Sequence, residues 1–267
     1  MTEITDLREI QQLELGILRQ LDKVCHDNNL HFFLSNGTLL GAIKYGGFIP
    51  WDDDIDVLMP RADYDKLMTI ADAEFGSYQL LSQERTAEWH LPFSKLCDMS
   101  TRKQEGSADF GIEIGVDIDI FPLDSWSGGY RQSCRCGFWR RGVSAAIEKD
   151  FTSPRTGWKR AVLYLFWCIS RQIGSNFFCR RIYREIKRGY ALTTPAYKGC
   201  VAWSLYGSRE LIPAVVFDSS VPISFEGQIY NAPIGYKTYL SHLYGEYISD
   251  PPPEKQCTHH AFQVWKL

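Results

Sequence analysis

Four aspartates occupy five consecutive positions in residues 51–60 (WDDDIDVLMP), immediately before an apolar run. In an extended segment side chains alternate between two faces, so Asp52, Asp54 and Asp56 are expected on one face and Asp53 on the other. Carboxylates that converge in this way repel one another unless a cation is bound between them. Oxygen ligands favour Mg²⁺ or Mn²⁺, and Mg²⁺ is typically held by carboxylates together with substrate phosphates. The spacing therefore predicts metal-dependent phosphate chemistry, with a solvated acidic turn as the alternative.

A short S-N-G-T turn precedes the acidic run. Ser35, Gly37 and Thr38 fall where a predicted strand gives way to a predicted helix, so backbone N–H groups at the helix N-terminus are expected to hold a phosphate group. Turns of this composition also form for conformational reasons alone. Followed by D-x-D on the next strand, the turn is a more specific indication of a phosphate site.

A second acidic strand is predicted in GVDIDIFPLD, residues 115–124. Its alternating pattern puts Asp117 and Asp119 on one face. Either residue is a candidate for a third carboxylate, which would ligate the metal ion or accept a proton from an attacking hydroxyl group. We favour Asp119; in the competing interpretation Asp117 is solvated and Asp124 caps a turn.

Taken in order, these motifs resemble the LicD family of phosphotransferases, which is related to the fukutin group. The matching segments are FFLSNGTLLGAIKYGGFIPWDDDIDVLMPRADYDKL, FSKLCDMST, DIDIFPLD and LYGEYISDPPPEKQCTHH. The resemblance is weakest across the basic segment 131–200. It implies a nucleotidyltransferase-like fold and transfer of a phospho-alcohol, typically phosphocholine from CDP-choline, to a sugar hydroxyl of a cell-surface glycan, lipopolysaccharide or teichoic acid precursor, with release of CMP.

The resemblance also implies roles for individual residues. Asp54, Asp56 and Asp119 are expected to be catalytic and to hold Mg²⁺ or Mn²⁺ against the pyrophosphate of the donor. Lys44 and Lys95 are expected to add positive charge as CMP leaves. For the C-terminal histidine pair, ligand contact and a structural role are equally good interpretations. The expected substrate-binding residues are Ser35, Gly37, Thr38, Lys44, Asp52, Lys95, His259 and His260.

Four aromatic residues are candidates for a cage around the quaternary ammonium group of a choline-like donor, because aromatic faces attract such cations. They are Trp51, Trp89, Tyr236 and Tyr239. Core packing is the competing interpretation for each of them, since the chain has eight tryptophans and 14 tyrosines.

Two other functions would use the same acidic residues. A nucleotidyltransferase, or a D-x-D glycosyltransferase that uses a sugar nucleotide, would need the same metal ion but would form different products. A metal-binding module without catalytic activity is the second alternative, although an EF-hand is disfavoured because Leu58 and Met59 stand where its loop would continue. The sequence does not identify the phospho-alcohol, the acceptor sugar or the oligomeric state.

Both helices and strands are predicted to position these residues. The expected fold class is α/β (α+β) with a nucleotidyltransferase-like mixed sheet. Residues 131–190 are expected to be mostly helical, with breaks near Ser153 and at Gly174, and the chain after residue 193 to form short strands and loops. Helices are predicted at 5–28 (capped by Thr5 or Asp6), 38–44 and 63–73, and strands at 30–34, 54–59 and 115–121. We divide the chain into a catalytic core (1–130), a basic helical insertion for acceptor or membrane contact (131–200) and a C-terminal part that completes the active site (201–267).

Charge is divided unevenly along the chain. Residues 131–188 contain 14 lysines and arginines against three acids, a net charge of +11, although the whole chain has a formal charge of −3. Their apolar run 161–170 is too short to span a bilayer, but its basic flanks predict a helix that lies on an anionic membrane surface. A solvated basic cap is an equal alternative, and nucleic-acid binding is not expected because no recognition motif accompanies the charge.

The N-terminal residues are charged and lack the apolar core of an export signal, and the eight cysteines lack the paired spacing of a zinc site. We therefore expect reduced thiols and a cytoplasmic protein with peripheral contact at the inner face of the membrane.

Overall fold

The computed structural model describes residues 1–247, 249–252, 254, 256–258 and 262–267. Within these residues it contains seven α-helices, three short 3₁₀ helices and eleven strands. The helices are α1 (Leu7–Asp27), α2 (Asn36–Tyr45), α3 (Arg61–Leu67), α4 (Gly129–Ile147), α5 (Gly157–Ile173), α6 (Ser175–Tyr190) and α7 (Tyr236–Tyr244). The strands are β1 (Thr2–Ile4), β2 (Phe33–Leu34), β3 (Asp56–Pro60), β4 (Tyr78–Leu81), β5 (Ser94–Glu105), β6 (Ile114–Trp126), β7 (Tyr197–Gly199), β8 (Ile212–Pro213), β9 (Ser220–Phe225), β10 (Gln228–Pro233) and β11 (Phe262–Lys266). This content confirms the predicted α/β class.

Nine of these strands form one mixed sheet. Its main order is β1-β11-β5-β6-β3-β2, with β4 paired to the first part of β5, β7 to the end of β6, and β8 to β7. Strand β3 runs parallel to β6, whereas β5 is antiparallel to β6. The register aligns Asp56 with Asp119 and Asp119 with Lys95, so these three residues lie in one row across the sheet and share one face.

Helix α1 packs on β5 and β6 from one side. It begins after Asp6, whose side chain accepts the N–H group of Arg8 at 2.9 Å, as the capping prediction allowed. Ile17, Leu18 and Leu21 on its inner face are fully buried. Each such side chain contributes about 1.5–3 kcal/mol of burial free energy. The strand that carries Asp119 is therefore fixed to a well-packed helix.

The basic segment is helical, and both predicted breaks occur. Residues 148–156 separate α4 from α5, and Gly174 separates α5 from α6 with a φ of 82°, a conformation that favours glycine. Helix α4 contacts both of the other two helices. Ser170 is the one buried residue of α5. In the part of the chain that the structure describes, no helix is both long and apolar enough to cross a bilayer.

Three predicted elements differ from the structure. The strand expected at 30–34 is reduced to β2, and the helix expected at 63–73 runs from Arg61 to Leu67. That helix ends early because the side chain of Thr69 bonds the carbonyl of Lys66 at 2.7 Å, while Arg85 donates to the next free carbonyls. Helix α7 was not predicted and lies in a region where strands and loops were expected. It was missed because Pro and Gly residues around it mask its helical spacing.

The chain ends within the main sheet, since β11 lies between β1 and β5. The division of the chain into a core, an insertion and a C-terminal part stays a prediction.

Candidate active site

A cavity of about 660 Å³ opens beside the first residue of β3. Asp52, Asp54, Asp56 and Asp119 line it. Asp53, by contrast, is only 1% exposed and does not line it. The alternation expected of an extended backbone therefore holds, although the strand itself begins only at Asp56.

The S-N-G-T turn holds the start of β3 in place. Thr38 Oγ1 accepts the backbone N–H of Asp56 at 2.8 Å, and the backbone N–H of Ser35 donates to the carbonyl of Asp56 at 3.1 Å. Ser35 and Thr38 are buried and do not line the cavity, whereas Asn36 and Gly37 do. Ser35 and Thr38 thus position the backbone of Asp56, and the phosphate contact of the turn stays a prediction.

Gly37 is required for the close approach of Asp52 to the first turn of α2. A Cβ atom at position 37 would lie 2.6 Å from Asp52 Oδ2. The Asp52 backbone is held from the other side by Gln11, whose Nε2 donates to the Asp52 carbonyl at 2.9 Å. A negative side chain is favoured at a helix N-terminus. Any larger residue at position 37 would therefore displace a carboxylate that lines the cavity.

The aspartates are crowded enough to disturb their titration. Burial raises the pKa of Asp56 well above its usual range, and the charges of Asp54 and Asp119 raise it further. Burial also raises the pKa of Asp119 to about 6; Lys95 opposes this shift and Asp117 adds to it. Carboxylates in such surroundings favour a bound proton or a cation.

Two lysines compensate the charge behind this wall of the cavity, and their side chains are only 6% and 7% exposed. Lys95 Nζ lies 2.6 Å from Asp119 Oδ1 and 2.5 Å from Asp117 Oδ2. Lys103 Nζ lies 3.1 Å from the other carboxylate oxygen of Asp117 and 3.0 Å from Glu105 Oε1. Lys95 does not line the cavity, so here it orients Asp119. Asp117 is enclosed between the two lysines, and of the two candidates for a third carboxylate only Asp119 reaches the cavity.

Lys44 does line the cavity, at the last turn of α2. Its Nζ donates to Asp250, which also accepts the hydroxyl group of Tyr45. These two bonds lower the pKa of Asp250. Trp51 lies edge-on to Tyr45, with the ring centroids 6.3 Å apart. A phosphate that binds Lys44 would have to compete with Asp250.

The remaining predicted ligands separate into three groups. His259 and His260 lie outside the described residues. Tyr239 lines the cavity, as Trp51 does. Trp89 is fully buried in the core and Tyr236 does not line the cavity, so neither is placed for a cage.

Asp124 neither lines the cavity nor caps a turn. Its two carboxylate oxygens accept hydrogen bonds from Nε and Nη2 of Arg61, both at 2.7 Å. Asp124 is only 2% exposed, and this bidentate pair joins β6 to the start of α3. It stabilises the end of the strand that carries Asp119.

Sequence reasoning missed part of the cavity. Glu210, Tyr206 and Tyr244 line it, and Glu210 is only 5% exposed. Glu210 belongs to a short 3₁₀ helix, Gly207–Glu210, in a stretch without a recognisable motif. Glu210 and Tyr206 lie in no recognised motif and reach the cavity through the tertiary fold, whereas Tyr244 belongs to the quoted segment LYGEYISDPPPEKQCTHH.

The donor set fits a divalent cation that is shared with a substrate. Among the described residues, no group of three or more His, Cys, Asp or Glu side chains forms a ready-made metal site. Asp54, Asp56 and Asp119 nevertheless offer only oxygen ligands at an open cavity, and a cation would relieve the crowding that raises the pKa of Asp56 and Asp119. Mg²⁺ needs only one or two carboxylates when substrate phosphates complete its shell.

Comparison with known proteins identifies a family domain within the chain. Residues 29–156 match a family model described as LicD/FKTN/FKRP, nucleotidyltransferase domain. The chain is 27% identical over 268 residues to the lipopolysaccharide cholinephosphotransferase LicD of Haemophilus influenzae, and the alignment covers 98% of both chains. It is also 28% identical over 137 residues to mannosyltransferase regulator 4 of Saccharomyces cerevisiae, which covers 49% of this chain and 11% of that protein. The four aspartates of the cavity all lie in the matched region, residues 29–156, which is a LicD-family domain.

Proposed function

We propose that this protein transfers a phospho-alcohol, most specifically phosphocholine, from a CDP-activated donor to a sugar hydroxyl of a lipopolysaccharide or related surface glycan, with release of CMP. The observation that carries the proposal is the row Asp56–Asp119–Lys95, which presents two carboxylates to a cavity of about 660 Å³. The alignment with a lipopolysaccharide cholinephosphotransferase over 98% of both chains supports a transferase of this kind. Pockets for small ligands typically have volumes of about 300–1,000 Å³.

The residues of the cavity suit phosphoryl transfer, which depends mainly on positioning and on compensation of charge. Asp54, Asp56 and Asp119 would hold Mg²⁺ or Mn²⁺, which would neutralise the charge of the donor pyrophosphate. Lys44 would contact a donor phosphate after exchanging its contact with Asp250. Lys95 would keep Asp119 oriented toward the acceptor.

Asp119 has a second role open to it, as the group that accepts the proton of the acceptor hydroxyl. It lines the cavity and is held by the ion pair with Lys95, so it is placed to accept that proton. Register and the Lys95 ion pair fix its position on β6. Both the metal-ligand role and the base role remain part of the proposal.

The proposed acceptor would place the reaction at a membrane, and α5 is suited to lie on one. Trp158, Val162, Leu165 and Ile169 are exposed and follow one face of the helix at spacings of three and four residues. Residues 151–184 contain seven lysines and arginines and no acidic residue. An exposed apolar face with basic flanks binds anionic lipid surfaces. The proposed position of α5 is therefore the headgroup region of an anionic bilayer.

The activity is tested by incubating the protein with CDP-choline and Mg²⁺, with and without a lipid-linked glycan extract, and measuring CMP. We expect CMP release that depends on the extract and disappears when EDTA is added. Pyrophosphate release from a nucleoside triphosphate would instead support nucleotidyl transfer, and consumption of a sugar nucleotide would support glycosyl transfer. If CDP-choline and CDP-ethanolamine both yield no CMP with any glycan extract, the proposed function is wrong.

A further inference from the structure

One wall of the cavity contains a buried carboxyl group that the proposed reaction does not use. Glu210 Oε1 accepts the backbone N–H of Tyr206 at 2.8 Å. Its Oε2 is buried without a hydrogen-bond partner among the described residues. Arg140 is a basic residue whose charge acts on Glu210. Its guanidinium lies over the ring of Trp203, 5.6 Å from the ring centroid. Glu210 thus lines the cavity and has one carboxylate oxygen without a hydrogen-bond partner among the described residues.

Three aromatic residues share the cavity with this carboxyl group. Tyr206, Tyr239 and Tyr244 line the same cavity. The rings of Tyr206 and Tyr244 lie 5.5 Å apart at 79°, and the hydroxyl of Tyr206 donates to that of Tyr244 at 3.3 Å. We call these two rings the aromatic corner. Burial raises the pKa of Tyr239, and the charge of Glu210 raises it further, so the third ring also lies within the field of this carboxyl group.

The chemistry of this wall selects one class of ligand. Burial raises the pKa of Glu210 to about 8, although the backbone N–H groups of Tyr206 and Leu205 and the charge of Arg140 oppose the shift. A cation beside Oε2 would favour the ionised form further. A divalent metal ion would need more oxygen ligands than one carboxyl group provides, whereas an alkylated ammonium group is satisfied by a single carboxylate and aromatic faces.

We propose that Glu210 and the aromatic corner bind the cationic head group of the donor, while the aspartates of β3 and β6 face its pyrophosphate. This inference rests on the proposed function and specifies the part of the donor that the enzyme selects. Glu210 is a specificity residue in this arrangement and does not contact the reacting phosphorus atom. Its removal should affect the recognition of charge and leave the transfer step in place.

The test compares two donors, CDP-choline and its neutral isostere in which a tert-butyl group replaces the trimethylammonium group. The wild-type protein should prefer CDP-choline in kcat/KM by about tenfold or more, the equivalent of about 1.4 kcal/mol. Glu210→Gln should remove most of this preference by raising the KM for CDP-choline, with little change in kcat and little change for the neutral donor. Tyr206→Ala should act in the same direction, whereas Tyr206→Phe, which keeps the ring, should retain the preference.

A Glu210→Gln variant that keeps the wild-type preference would overturn the inference and leave the proposed transfer of phospho-alcohol intact. If neither donor is turned over by the wild-type protein, the proposed function fails first, and the site is then tested by calorimetric titration with phosphocholine and with CMP. Weaker phosphocholine binding by about tenfold in Glu210→Gln, with unchanged CMP binding, supports the site. Absence of phosphocholine binding to the wild-type protein overturns it. Glu210→Asp, which keeps the charge, and thermal melting of each variant separate loss of recognition from loss of folding.

Discussion

The sheet beside the cavity and the helix α5 place charged and apolar groups in opposite positions. Beside the cavity, Lys95 and Asp117 are buried and neutralise each other at 2.5 Å. In α5, large apolar side chains are exposed, with Trp158 reaching 73%, while its basic residues flank them. Each arrangement is unfavourable for an isolated domain in water, because buried ions lose hydration and exposed apolar groups order water.

The contrast shows what each region needs. Burying an ion pair rarely stabilises a protein relative to an apolar pair, so the lysines behind Asp119 are best explained by the geometry that they impose on it. Large exposed apolar patches, in turn, are typical of surfaces that meet a partner or a membrane. The cavity side is therefore organised for orientation of charge, and α5 for contact with something outside the chain.

The largest expected effect comes from the aspartates that line the cavity. Asp54→Asn and Asp119→Asn should each lower the rate of CMP release by about 10³-fold, because each removes a carboxylate that would hold the cation which neutralises the donor pyrophosphate. The neighbouring Asp53→Asn is the matched control, since Asp53 is buried and does not line the cavity. It should alter the melting temperature more than kcat. Equal losses of activity at positions 53 and 54 would contradict the assignment of faces.

The second largest effect is expected on stability, when the same substitution of lysine by methionine is made in each of the two regions. Lys95→Met leaves Asp117 and Asp119 without their shared counterion and should lower the free energy of unfolding by about 3–5 kcal/mol. Lys159→Met in α5 removes an exposed cation and should change it by less than about 0.5 kcal/mol. Urea unfolding of both variants measures the difference. Similar changes in the free energy of unfolding for the two variants would mean that the ion pairs of Lys95 with Asp117 and Asp119 do not stabilise the fold.

The third effect concerns Glu14, a fully buried residue of α1 with no hydrogen-bond partner for either carboxylate oxygen among the described residues. Burial raises its pKa well above the ordinary value; Lys103 opposes the shift and Asp54 adds to it. The folded protein then keeps a proton that the unfolded chain releases above about pH 4.5, so the stability of the wild type falls as the pH rises from there, by up to about 1.4 kcal/mol per pH unit. Glu14→Gln has no such proton to lose.

Glu14→Gln should therefore be as stable as the wild type near pH 5, within about 1 kcal/mol, and increasingly more stable as the pH is raised from there. Urea unfolding across this range gives the slope for each protein. Glu9→Gln, on the exposed face of the same helix, is the control and should follow the wild-type slope. Parallel slopes for wild type and Glu14→Gln would show that Glu14 ionises normally in the folded state.

What could be predicted from the sequence depended on local rules. The alternation of Asp52, Asp54 and Asp56, the cap at Asp6 and the break at Gly174 follow from backbone geometry over a few residues. The wider pattern of charge between 131 and 188 also marked the helical region correctly.

What could not be predicted depended on register and long-range packing. Lys95 was assigned to the substrate, but the pairing of β5 with β6 places it against Asp117 and Asp119. Glu210 and Tyr206 are far from the acidic motifs in sequence and reach the cavity only through the tertiary fold. Side chains that act through the fold leave no local pattern to read.

The smallest effect tests the contact assigned to α5. The double variant Trp158→Ser, Leu165→Ser should reduce co-sedimentation with vesicles containing anionic lipid by about tenfold at low salt, because two large groups no longer enter the headgroup region. Ile229→Ser, which removes an equally exposed apolar group from the β9–β10 hairpin, is the matched control and should bind vesicles normally. Binding should also weaken as salt increases, since the basic flanks contribute electrostatically. If the wild-type protein does not sediment with these vesicles, the membrane contact is wrong, and a loss of self-association in the double variant would assign the exposed face of α5 to a second copy of the chain.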